Sequence, residues 1–109
     1  MDDKTRELYE KKALVIQAIA QPVRLAIVDL LADGEQCVCD ITEAVGAERS
    51  NVSRHLAVLL NAGIVAQRKD GLRMMYSLRT PCILNFFECV TEVLRSELKR
   101  NNQMLSKLR

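Results

Sequence analysis

Apolar residues recur along this chain with two different periods, and the predicted architecture changes where the period does. Leu8, Val15, Ile16 and Ile19 fall on one face of a first helix, with Glu7, Glu10, Lys11 and Lys12 elsewhere on its surface. That helix ends near Gln21, because Pro22 forces its predecessor into extended geometry and itself suits the first position of a new helix. In the second helix Leu25, Ile27, Val28, Leu30 and Leu31 are apolar on most sides, which predicts a central element stopped by Asp33-Gly34. After the loop Gly34-Glu35-Gln36, a short helix from about Cys39 to Val45 turns Ile41, Ala44 and Val45 inward and closes at Gly46. The turn Gly46-Ala47-Glu48 leads to a helix that starts between Glu48 and Ser50 and buries Val52, Leu56, Leu59 and Leu60 before Asn61-Ala62-Gly63 ends it. Alternation then takes over: Ile64 to Lys69 and Leu72 to Leu78 flank Asp70-Gly71, a strong two-residue hairpin signal, with Met74, Tyr76 and Leu78 on one side of the second strand. After Pro81 the helical period returns, and Ile83, Phe87, Val90, Leu94 and Leu98 trace a stripe down a long last helix.

The order α-α-α-α-β-β-α is mainly helical with a β-hairpin wing, a winged helix-turn-helix whose third and fourth helices form the helix-turn-helix. A length of 109 residues, 49% hydrophobic and 28% charged, fits one domain spanning residues 1–109, with no internal repeat or low-complexity linker. A core this small does not use up the apolar stripes at both ends of the chain. Pairing two copies through the terminal helices does, so a homodimer is expected.

The net charge of +2 hides a strong asymmetry. Residues 1–48 carry five basic and ten acidic side chains, residues 49–79 six and one, and residues 80–109 five and three. The basic middle segment consists of Arg49, Arg54, Arg68, Lys69, Arg73 and Arg79. It fits contact with nucleic-acid phosphates, where neutralisation releases counterions, although a solvated basic surface would show the same run. The helix pattern leaves Arg49, Ser50, Asn51, Ser53 and Arg54 on the outside of the fourth helix. Short polar and guanidinium groups at an exposed helix N-terminus suit base edges in a major groove. Double-stranded DNA is therefore the expected partner, with Ser50, Ser53 and Arg54 reading bases and Arg49, Asn51, Arg68, Lys69 and Arg73 holding phosphates.

No segment approaches the ~20 apolar residues of a membrane span, and Met1-Asp2-Asp3 lacks the basic and apolar regions of a signal peptide, so a cytoplasmic protein without a membrane partner is expected. There the four cysteines read as thiols for metal or redox chemistry, with a buried structural role as the alternative for each. Cys37 and Cys39 form the pair of interest, two positions apart where the chain enters the third helix. No acid/base constellation, phosphate cradle or activated nucleophile points to an enzyme.

Three segments carry a resemblance to a known family: Ile19-Ala20-Gln21-Pro22-Val23-Arg24-Leu25-Ala26-Ile27, Glu35-Gln36-Cys37-Val38-Cys39-Asp40-Ile41, and Ser50-Asn51-Val52-Ser53-Arg54-His55-Leu56 with Ala62-Gly63-Ile64-Val65. From about Leu14 to Leu78 the chain resembles the ArsR/SmtB family of winged-helix metalloregulatory repressors. The resemblance implies an apo dimer that blocks an operator and leaves it when an inducer binds. The Cys-Val-Cys-Asp box looks closest to the arsenic-responsive branch, which implies As(III) or Sb(III) at Cys37 and Cys39. Soft-ligand chemistry alone allows Cd, Pb or Zn as well.

The chain departs from the family's patterns in informative ways. Thr42 stands where one arsenic-type arrangement has a third Cys, and the N-terminal arm has none of the Cys used by cadmium and lead sensors. Residues 80–109 lack the His of the final-helix zinc and nickel sites. A third ligand would have to come from Cys82, Cys89, a water or a small thiol. Cys82 and Cys89 share a helix face but are separated by ~10.5 Å of rise, so one ion does not bridge both in one chain. Successive residues turn by ~100°, so on a regular helix Cys37 and Cys39 point ~200° apart, and chelation is expected to bend or unwind the helix start. Disulfide or polysulfide formation between this pair and Cys82 or Cys89, in a redox or persulfide sensor, is the alternative. His55, the lone histidine, is expected to pack or to meet a phosphate.

Overall fold

The computed structural model describes residues 1–108 and contains five α-helices and three strands among them: α1 (Asp3–Ile19), α2 (Pro22–Leu30), β1 (Gln36–Cys37), α3 (Val38–Val45), α4 (Arg49–Asn61), β2 (Val65–Asp70), β3 (Arg73–Leu78) and α5 (Ile83–Lys107). The expected order is present with one addition. The two-residue strand β1 lies in the segment expected to be a loop, pairs antiparallel with β3, and makes a three-stranded sheet ordered β1-β3-β2. Two residues are too few to show alternation, so the pattern held no signal for it.

Local chemistry explains the element ends. Asp2 caps α1 by accepting the Thr5 N–H at 2.7 Å, and Gln21 caps α2 through the Arg24 N–H at 3.1 Å with Pro22 in the first turn. A single 3-10 turn, Leu31–Asp33, follows α2. Gly46, at φ +66°, ends α3 in the left-handed conformation that a side chain would resist. The hairpin turns one residue later than expected. Asp70 pairs with Arg73, so Gly71-Leu72 forms the loop, with Gly71 at φ +62° in its first position, the glycine placement of a type II′ turn. Leu72 is thereby moved from the second strand to the bare tip of the wing.

Ile27 and Val28 of α2, Ile41 of α3, Val52, Leu56 and Leu59 of α4, and Val65 of β2 are all completely buried. The core thus lies between α2, the helix-turn-helix and the base of the wing, and it fixes which face α4 turns outward. Leu60, expected inside, is only half-buried.

The terminal helices behave differently. Only Ala18 and Ile19 of α1 are buried, and α5 has no buried residue. Leu8, Leu14 and Ile16 on α1, and Phe86, Val90, Val93, Leu94 and Leu98 on α5, stand between 43% and 67% exposed. An apolar groove of about 410 Å³ runs between the two helices, with Ile16, Phe86, Phe87, Val90 and Leu94 in its wall. The radius of gyration is 17.7 Å, against about 13 Å for a compact chain of this length. Among the described residues no single helix is long and apolar enough to cross a membrane.

Candidate nucleic-acid interface and thiol pair

Helix α4 is built so that burial of one face presents the other. With Val52, Leu56 and Leu59 at 0% exposure, Arg49, Ser50, Ser53 and Arg54 are exposed and Asn51 is half-buried. Arg54 donates to the Asn51 side-chain oxygen one turn back, so Asn51, expected at a phosphate, also steadies the guanidinium of Arg54. His55 sits on the next flank, accepting from Arg24 Nε at Nδ1 over 3.1 Å. Burial first, then the charges of Arg24 and Arg54, push His55 below the ordinary imidazole range, so it is a neutral acceptor at neutral pH. Arg24 also donates to the Ala18 carbonyl at 3.1 Å, which stitches the end of α1, the start of α2 and α4 together.

On the wing the expected basic residues do not act as one group. The pairing places Arg68, Asp70 and Arg73 on one face of the hairpin and Lys69 on the other. Arg68 is engaged: its Nε and one terminal nitrogen reach the two Glu35 oxygens at 2.7 and 2.6 Å. This fork lowers the Glu35 carboxyl and raises Arg68 further above its already high range. Lys69 and Arg73 remain exposed.

Glu35 leads directly to the thiol pair. Cys37 is at once the last residue of β1, opposite Met75 of β3, and the N-cap of α3, with extended torsions of −80° and 158°. Its sulfur accepts the Asp40 N–H at 3.4 Å, and the residue is only 4% exposed. Cys39 is the second helical residue and is exposed. Cys37 thus precedes the helix with non-helical torsions, so the ~200° separation of two residues on a regular helix does not apply to this pair.

All four cysteines are free thiols, with Cys82 and Cys89 exposed on the N-cap and body of α5. Among the described residues no three His, Cys, Asp or Glu side chains converge to hold a metal. Thr42, where a third Cys would stand, donates its hydroxyl to the Val38 carbonyl at 2.7 Å. Two thiols next to a helix N-terminus suit a soft, thiophilic ion, and among the described residues no third such side chain joins them.

Sequence reasoning missed Arg24 and Glu35 as working residues. Arg24 had a visible signal, a lone cation inside the apolar run of α2. Glu35 had none, because its role depends on β1.

A helix-turn-helix with guanidinium and small hydroxyl groups on the open face of its second helix, followed by a basic hairpin, defines a winged helix-turn-helix regulator of transcription. The chain belongs to the bacterial regulatory protein, arsR family, which residues 21–67 match. Rv0081 of Mycobacterium tuberculosis, an uncharacterised HTH-type transcriptional regulator, is 37% identical over 94% of this chain and 90% of its own length. The arsenical resistance operon repressor of Staphylococcus xylosus is 34% identical over 64% of this chain and 67% of its own. Among solved structures, the homodimeric winged helix-turn-helix DNA-binding domain Mb0332 of Mycobacterium bovis superposes with a TM-score of 0.78 at 32% identity, over 92% of this chain and 93% of that one. Family and fold are those of DNA-binding transcriptional repressors, not of enzymes.

Proposed function

We propose that this chain is a cytoplasmic, dimeric operator-binding repressor whose inducer is trivalent arsenic or antimony, held by Cys37 and Cys39. The observation that carries the reading is the position of Cys37: its sulfur caps α3, its backbone pairs with the wing strand, and α3 packs directly against the reader α4. An ion bound by both thiolates takes the Cys37 sulfur away from the Asp40 N–H. It also draws in Cys39, the second residue of α3, so the first turn of the helix has to shift. The first turn of α3 then loses a cap contributing about 0.5 kcal/mol. The support of α4 and the strand tie to the wing are disturbed together.

The paired state is supported by the bare apolar faces of α1 and α5 and the groove between them, and by the homodimeric Mb0332 domain. A twofold pair sets two copies of α4 to read half-sites about one helical turn of DNA apart. Changing Leu94 to Glu should convert the dimer to monomer in sedimentation velocity; an unchanged dimer would remove α5 from the interface.

The inducer is tested by fluorescence anisotropy of the reduced, metal-free protein on its own promoter DNA, titrated anaerobically with arsenite, cadmium, zinc or persulfide in separate runs. Release by arsenite, abolished in Cys37→Ser and Cys39→Ser, is the expected result. Release by persulfide alone would replace the metalloid reading with a redox one and bring exposed Cys82 and Cys89 into the site. Release by cadmium or zinc alone would make the pair a thiolate sensor for those ions.

A further inference from the structure

A cleft of about 430 Å³ opens between the first turn of α2 and the flank of α4, lined by Arg24, Asn51, Arg54, His55 and Val58. Two guanidinium groups, an imidazole and an amide face it, and no carboxylate is among its lining residues. Arg24 differs in burial, since the other arginines among the described residues are exposed. Arg24 is half-buried and donates only to neutral groups, the His55 ring and the Ala18 carbonyl. Withdrawing a cation from water without a counter-charge is unfavourable, so this arrangement is suited to an anion supplied from outside.

Geometry narrows the chemistry. Arg24 keeps one terminal nitrogen outside its two hydrogen bonds, and Arg54 approaches from the same flank of α4. Guanidinium nitrogens arriving from two sides match the several oxygens of a tetrahedral oxyanion better than a single planar carboxylate. Asn51 and Arg54 also belong to the face that α4 presents to DNA, so an occupant can arrive as part of the duplex.

We propose that this cleft is a phosphate site, seated by Arg24 and Arg54, and that its occupant in the operator complex is one backbone phosphate beside the bases read by α4. The proposal rests on the DNA-binding reading and deepens it. It makes Arg24, on a helix outside the helix-turn-helix, a direct DNA contact, and it places the DNA backbone across the junction of α1, α2 and α4.

The test scans single methylphosphonate substitutions along each half-site of the promoter duplex, with wild type, Arg24→Gln and Arg24→Lys, alongside the salt dependence of affinity. Expected is one position per half-site where neutralisation weakens wild type clearly more than Arg24→Gln, which keeps only the Arg54 contact. The slope of log affinity on log salt should fall by about 1 per protomer in Arg24→Gln, on operator and random DNA alike, and recover in Arg24→Lys. If Arg24→Gln lowers only the melting temperature, with scan and slope unchanged, Arg24 is a positioning residue and the proposal fails. A flat scan, with inorganic phosphate at matched ionic strength displacing DNA from wild type but not from Arg24→Gln, would assign the cleft to a free anion and overturn the DNA contact. Absence of any DNA binding by wild type would instead overturn the family-level reading. In that case a melting-temperature rise in phosphate over chloride, present in wild type and absent in Arg24→Gln, would decide whether the cleft takes an anion.

Discussion

Cys37 has two roles that substitution can separate. Its sulfur accepts the Asp40 N–H at 3.4 Å, longer than a typical oxygen acceptor, so this cap belongs near the low end of the range, about 0.5 kcal/mol. Cys37→Ala removes the cap and also empties the space of a sulfur that is only 4% exposed. Together these should cost about 1–2 kcal/mol. Cys37→Ser keeps an acceptor, and a better one, while losing the apolar contact of the sulfur, so the two effects should nearly cancel, within about 1 kcal/mol. In thermal denaturation at fixed protein concentration, where about 1 kcal/mol corresponds to about 4–8 °C for a domain of this size, Ala should fall clearly below Ser. Both should bind promoter DNA without inducer, and neither should be released by arsenite. Equal melting temperatures for wild type, Ser and Ala would show that the sulfur does not cap α3 and would remove the proposed path from thiol to reader. Arsenite release of the Ser variant would sink the ligand assignment while leaving the cap intact.

Other substitutions test the remaining links. Glu35→Gln should free Arg68 from its fork, strengthen DNA binding and steepen the salt slope by about 0.9 per protomer; an unchanged slope would mean that Arg68 never reaches a phosphate. Arg54→Ala should weaken operator binding by ~1–3 kcal/mol and random DNA by a smaller amount that reflects its share of the backbone phosphate, and equal losses on both would leave Arg54 a phosphate contact alone. His55 is held below its ordinary value, near 6.5, in the folded state, so the unfolded chain takes up a proton first on acidification. Its contribution is therefore present above about pH 6.5 and is lost as pH falls below it through the folded value. Wild type should lose more stability than His55→Gln between pH 7 and 5, and parallel melting profiles would refute the burial of a neutral His55 beside Arg24.

The helices and their order were legible because each carries a long apolar period bounded by proline or glycine. The outward face of α4 followed from the same pattern, since burying Val52, Leu56 and Leu59 leaves Ser50, Ser53 and Arg54 outside. What escaped was short or non-local. Strand β1 is two residues long and exists only because β3 offers it an edge. The shift of the turn to Gly71-Leu72 was hidden because Asp-Gly is itself a strong turn signal, yet Asp70 joins the ladder opposite Arg73. The basic segment read as one patch in sequence, but pairing separates Lys69 from Arg68 and Arg73, and Glu35 occupies Arg68 from 33 residues away. The thiol pair was visible as a pair; that one member belongs to a strand was not.

The projecting last helix has a consequence for how such a regulator changes over time. In the proposed dimer the distance between the two readers is set by the apolar faces of α1 and α5, far from any side chain that meets a base. Exchanges among Phe86, Val90 and Leu94 would alter the spacing and tilt of the half-sites while leaving the letters read at each one untouched. Exchanges at Ser50, Ser53 or Arg54 would do the reverse. Operator length and operator sequence are thus separately inherited traits of this chain, each free to drift while the other is held.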